Sequence, residues 1–129
     1  LHDRMVVSRP ALVIFEAPLA PSHMRGRTNA NTIRLLMGLA FLVETVAEEA
    51  GIPHIREAEV RDVRTFFLGK NFKSDEAKRL TVERCRKLGY RVEDHNAADA
   101  AALWLYAVTR FRPDRALEAS PMFRRRAEA

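Results

Sequence analysis

The chain has 129 residues, 47% of them hydrophobic, and carries 22 lysines and arginines against 17 acids, a formal net charge of +5. This length holds one domain with a modest core and leaves no room for a second, and a single cysteine, Cys85, excludes an internal disulfide and makes a poor zinc or redox candidate. The basic excess suits phosphate-rich partners.

Taken in chain order, Leu1 to Ser8 reads as the end of a helix stopped at Arg9-Pro10, because the residue before proline is pushed out of helical geometry. Its opening, Leu1-His2-Asp3-Arg4, has no export-signal pattern, so cytoplasmic residence is expected. Ala11 to Phe15, a short apolar run between Pro10 and Pro18, predicts a fully buried strand with Glu16 at its carboxyl end. Ala17 to Asn31, with two prolines, a glycine and two asparagines, predicts a loop. Thr32 to Ala50 predicts a long helix ended by Gly51. The apolar stretch Leu35 to Val43 inside it, flanked by Arg34 and Glu44, is too short to span a bilayer, and no membrane is expected.

Pro53 to Ala58 predicts a second strand and Glu59 to Leu68 a short helix ending at Gly69. Ser74 is placed to cap the next helix, with Asp75 and Glu76 in its first turn and Leu80, Val82, Cys85 and Leu88 on its buried face. Gly89 ends that helix. After Tyr90-Arg91-Val92 a final main helix runs from near Asn96 to about Phe111, and Pro113 marks its end. This divides the chain into a domain over residues 1–112 and a basic, partly disordered tail over 113–129 containing Arg124-Arg125-Arg126. The order of elements implies an α/β layered domain whose two strands make a meagre sheet.

Two acids stand out chemically. Glu16 sits outside the carboxyl end of an apolar strand, where ligands of open α/β sheets bind, although a strand-end acid facing water has the same sequence. Asp99 lies in the first turn of the last helix, where the helix dipole alone favours an acid. Around it Ala97, Ala98, Ala100, Ala101 and Ala102 give the helix a narrow profile that permits close backbone approach. Asp94 is placed as a helix cap, His95 as a ligand or proton carrier, and Asn96 as a neutral oxygen donor. Carboxylates beside small residues call for a cation, and the commonest one for an all-oxygen site is magnesium.

Phe15-Glu16 after an apolar strand, the Gly69 to Lys78 region, and the stretch Asp94-His95-Asn96-Ala97-Ala98-Asp99-Ala100-Ala101-Ala102-Leu103-Trp104 together resemble the RuvC-type Holliday junction resolvases, particularly their phage-encoded branch, within the RNase H-like superfamily. The resemblance covers roughly Leu1 to Val108. It implies an α/β fold, an RNase H-like (RuvC-type) sheet with flanking helices, here without its first three strands, the chain beginning within the helix that leads to the fourth. It also implies four acids that hold two Mg2+ (or Mn2+) ions and hydrolyse a DNA phosphodiester at a four-way junction.

Carried over by position, Glu16 is the second acid and Asp99 the last. The place of the third, three residues before the last, is held by Asn96, so Asp94 or His95 substitutes or Asn96 itself binds the metal. The first acid, which the family carries on a glycine-containing opening strand, has no counterpart in this sequence. Arg64 and Lys78 match positions where such enzymes meet the DNA backbone. Lys70 and Lys73 lie between them, and Arg25 and Arg27 follow Glu16, where a basic loop would fold over a junction strand. The stripe Leu35, Leu36, Leu39, Phe41, Leu42, Val43 and Val46 is read either as core packing or as the contact of a two-fold homodimer. The expectation is thus a magnesium-dependent, structure-selective endonuclease for branched DNA. The alternatives are a non-catalytic nucleic-acid-binding module that lacks the complete acid set, and another nuclease of the same superfamily such as an RNA–DNA hybrid cutter.

Overall fold

The computed structural model describes residues 1–18 and 29–127, with side chains to residue 124. In order these form α1 (His2–Ser8), β1 (Val13–Glu16), α2 (Ala30–Glu49), β2 (Ile55–Ala58), α3 (Val60–Leu68), α4 (Ser74–Lys87), α5 (His95–Phe111), a single 3-10 turn (Pro113–Arg115) and α6 (Pro121–Ala127). They divide into two compact units, Leu1–Ala58 and Glu59–Ala129.

The first unit is a β-α-β element. β1 and β2 pair in parallel with Val13 opposite Ile55 and Glu16 opposite Ala58, and α2 connects them. Met5 of α1, Ala47 of α2 and Ile52 form a small core against which Val13, Val46, Ala50 and Ile55 pack. α2 starts earlier than its apolar pattern indicates, because the Asn29 side chain caps it, accepting a bond from the Thr32 N–H at 2.9 Å.

The expected RNase H-like (RuvC-type) sheet with flanking helices is not what this chain forms: 65% of it is helical, and among the described residues the sheet has only the two strands β1 and β2. The physical reason lies in the second half of the sequence, where the apolar residues recur at helical spacing from Val60 onward. Tyr90-Arg91-Val92, squeezed between Gly89 and the cap Asp94, pairs with nothing regular. The first strand was also expected to be covered on both faces. Val13, Ile14 and Phe15 are only half-buried.

α2 does not follow the core-packing reading of its apolar stripe. Of its 20 residues only Ala47 is fully buried, and Leu35, Met37 and Phe41 are 61%, 54% and 69% exposed. By length and composition α2 is long and apolar enough to cross a membrane.

The second unit is helical. α3, α4 and α5 pack on one another, with Val63, Phe67, Ala77, Thr81, Cys85, Ala98, Ala102 and Ala107 buried. The alanines of α5 explain the close packing, because a side chain no larger than a methyl lets a neighbouring helix approach. Cys85 of α4 reaches the backbone of α5, its Sγ–H donating to the Ala98 carbonyl at 3.5 Å. Phe66 and Tyr106 meet edge to face with ring centroids 5.5 Å apart. α4 begins one residue beyond Lys73, so Ser74 is the first helical residue rather than its cap, and no side chain caps this end.

Gly89 has φ +86° and ends the α4 segment in the left-handed conformation that glycine adopts without strain. The chain beyond α5 returns to this corner. Met122 N–H and Ser120 Oγ both donate to the Leu88 carbonyl at 3.1 Å, and Tyr90 Oη donates to the Ala119 carbonyl at 2.6 Å. These bonds tether the residues leading into α6.

Candidate functional site

In the first unit, Glu16 is the last residue of β1 and is exposed. Alternation along the strand puts Phe15 on the same face as Val13, toward α2. There a groove of about 410 Å³ opens, lined by Phe15, Glu16, Ala17 and Pro18 on one side and by Leu36, Leu39, Ala40 and Val43 on the other. Among the described residues, Glu16 is the only ionisable group in that lining. Arg25 and Arg27 lie outside the described residues.

In the second unit, Asp94 is the helix cap of α5. It has extended backbone angles and its Oδ1 accepts the Ala97 N–H at 2.8 Å. One carboxylate oxygen is therefore committed to the helix. His95 and Asn96 are exposed in the first turn. Helical spacing puts them, four and three residues before Asp99, on the same face as that acid.

Asp99 itself is half-buried. Its Oδ2 lies 3.8 Å from Nη2 of Arg64 on α3, and the two side chains keep 26% and 19% of their exposure. The separation is longer than the roughly 2.7–2.9 Å of a charge-assisted hydrogen bond, so the contact is Coulombic. It leaves the carboxylate its acceptor capacity. Arg64 Nε is buried with no hydrogen-bond partner. The Asp99 charge also reaches the core: burial first, and then this carboxylate, push the Cys85 thiol up to about 11.

Of the remaining candidate cations, Lys70 lies with Nζ 4.9 Å from the centre of the Phe72 ring, Lys73 is exposed just ahead of α4, and Lys78 is half-buried on α4. The structure thus brings Arg64 and Asp99 together, with His95 and Asn96 on the neighbouring turn. The sequence reading missed that Arg64 faces an acid; the spacing of residues on α3 and α5 carries no signal of it. It also missed Phe72, although Lys70-Asn71-Phe72-Lys73 interleaves an aromatic ring with cations and is visible as such.

Whether these groups suit a magnesium ion depends on donor count. Carboxylate oxygens of Asp99 and Glu16 are the hard donors that ion takes. Among the described residues, however, no three His, Cys, Asp or Glu side chains are grouped closely enough to hold a metal. Comparison with known protein families, curated proteins and solved structures gave no match to this chain.

Proposed function

We propose that this chain belongs to a magnesium-dependent, structure-selective DNA endonuclease of RuvC type acting on four-way or other branched DNA. Glu16 and Asp99 serve as metal-binding acids, and Asp94, His95 and Asn96 assist. The observation that carries this reading is Asp99: a half-buried carboxylate one turn into an alanine-lined helix, rather than in its first turn as expected, beside a guanidinium, with its acceptor capacity intact. A bound magnesium ion (or manganese) would activate water and stabilise the leaving oxygen.

This chain's own residues do the rest. Arg64 neutralises Asp99 while no metal is near, and the cap on Asp94 orients the first turn of α5. Lys70, Lys73 and Lys78, with Arg25 and Arg27, supply charge for the phosphate backbone. The exposed apolar residues of α2 support a homodimer, whose two-fold axis would match that of a junction. Cytoplasmic residence goes with such a role.

The test is cleavage of a four-way junction in magnesium by the protein and by its Glu16→Gln and Asp99→Asn variants. Loss of cleavage in both is expected. Full activity in either contradicts the assignment.

One observation favours a second reading, a nucleic-acid-binding module without catalysis: the described residues hold no three-donor cluster, and Asp99 already has a cationic neighbour. That reading expects junction binding that is weakened by salt, indifferent to metal, and unchanged in Glu16→Gln.

A further inference from the structure

We propose that the groove between α3 and α4 is a subsite for one unpaired base of single-stranded DNA, with Phe72 as the stacking platform. The inference rests on the DNA-binding reading above and adds to it a place where an opened strand is held. The groove measures about 200 Å³ and is lined by Leu68, Phe72, Leu80, Glu83, Arg84 and Lys87. It is smaller than the roughly 300–1,000 Å³ of pockets for drug-sized ligands, so its natural occupant is a single flat ring system rather than a whole cofactor.

Its floor is apolar and its rim is cationic. Arg84 lies over the Phe67 ring at 5.5 Å, and Lys70 sits over Phe72 at 4.9 Å. The one acid among the described lining residues, Glu83, is held by Lys87 at 2.7 Å and by Arg79 at 3.4 Å. The Lys87 ammonium keeps its carboxyl below the usual range, so its charge is already answered and does not repel a phosphate. Four cations therefore surround the groove against one carboxylate. An aromatic face with cations along its edge is the pattern by which proteins hold single strands: the base stacks and the backbone follows the charge.

Lys70 occupies the Phe72 face in the free protein. An exposed cation–π contact is worth roughly two- to fivefold in an equilibrium constant. Base stacking on an aromatic ring is worth on the order of five- to a hundredfold. The base wins that competition, and the displaced ammonium is left beside the neighbouring phosphate. Duplex DNA has no base to offer the groove, so the subsite discriminates opened from paired strands.

The test uses fluorescence anisotropy with a single-stranded oligonucleotide carrying one 2-aminopurine, a blunt duplex of equal length and a four-way junction. Phe72→Leu keeps the apolar volume and removes the stacking face. It should weaken single-strand binding about tenfold, abolish the 2-aminopurine quenching, and leave duplex affinity unchanged. Phe72→Trp, which preserves stacking should the leucine variant fail to fold, should retain the affinity and show tryptophan quenching by the strand. Arg84→Gln should reduce the slope of log affinity against log salt by roughly 0.7, one single-strand phosphate contact.

Unchanged single-strand binding in folded Phe72→Leu, with junction binding intact, overturns the subsite alone. Competition by polyglutamate as effective as by the unlabelled strand overturns it too, because charge without stacking then suffices. Absence of binding to all three DNAs overturns the DNA reading itself and the subsite with it.

Discussion

Nη2 of Arg64 on α3 stands 3.8 Å from Oδ2 of Asp99 on α5, and this contact ties the residue proposed to bind metal to the packing of the helical unit. Removing one partner of such a pair leaves the other charge partly desolvated, which costs more than the pair itself contributes. Asp99→Asn and Arg64→Gln should each destabilise by about 1–2 kcal/mol, less than the value for a fully buried pair because water still reaches both groups. The double variant should recover about 1 kcal/mol of coupling, read from urea denaturation of the four proteins. Strict additivity would show that the two charges do not sense each other.

Asp94 has a structural duty separable from any chemical one. Asparagine caps helices as well as aspartate does, whereas alanine cannot accept the Ala97 N–H. Asp94→Ala should cost about 1 kcal/mol in thermal unfolding and Asp94→Asn only a few tenths. If Asp94→Asn keeps its stability and loses junction cleavage, the carboxylate contributes to the chemistry as well as to the helix.

Cys85 gives the protein an alkaline limit. Its thiol titrates near 9 when free and is raised to about 11 in the folded chain, by burial and then by the Asp99 charge. Between these values the unfolded chain has lost the proton that the folded chain keeps, so unfolding becomes easier as pH rises. Stability from this source is complete below pH 9 and declines through pH 11. Cys85→Ala should flatten that decline in a pH series of denaturation curves, while costing stability at pH 7 through the lost packing. The native thiol should react with a disulfide reagent only after denaturant is added.

Gly69 and Gly89 share a left-handed backbone, with φ +84° and +86°, but differ in their surroundings. A Cβ at Gly69 would meet open space, while one at Gly89 would lie 3.2 Å from the Met122 amide nitrogen. Alanine at Gly69 should therefore cost only the left-handed penalty, about 1 kcal/mol. At Gly89 the same penalty combines with displacement of the chain that docks on Leu88. Gly89→Ala should show the larger fall in melting temperature together with faster tryptic cleavage at Arg124, and equal effects at the two glycines would refute the docking.

The legible features were the local ones. Gly51, Gly69 and Gly89 end helices as their positions in the apolar pattern indicate, and all three have positive φ. The first strand was visible as a short apolar run between Pro10 and Pro18, the second as a short stretch after Pro53, and the Asp94 cap was readable from its place ahead of the alanines. The Asn29 cap was not, because the apolar periodicity of α2 begins only at Ile33, and caps precede the pattern they start.

What the sequence determined by itself is the menu of elements and the chemical inventory. Helix stops, caps and amphipathic spacing depend on residues within about four positions of one another, and the acids and cations can be counted directly. Only the tertiary structure decided which of these groups meet. It set Arg64 against Asp99, 35 positions apart in the chain, kept the sheet at two strands, and left α2 with one fully buried residue. The reason is physical: a side chain's charge and size are written in its own residue, whereas its partner and its desolvation belong to the packed surface it meets, which no local pattern specifies.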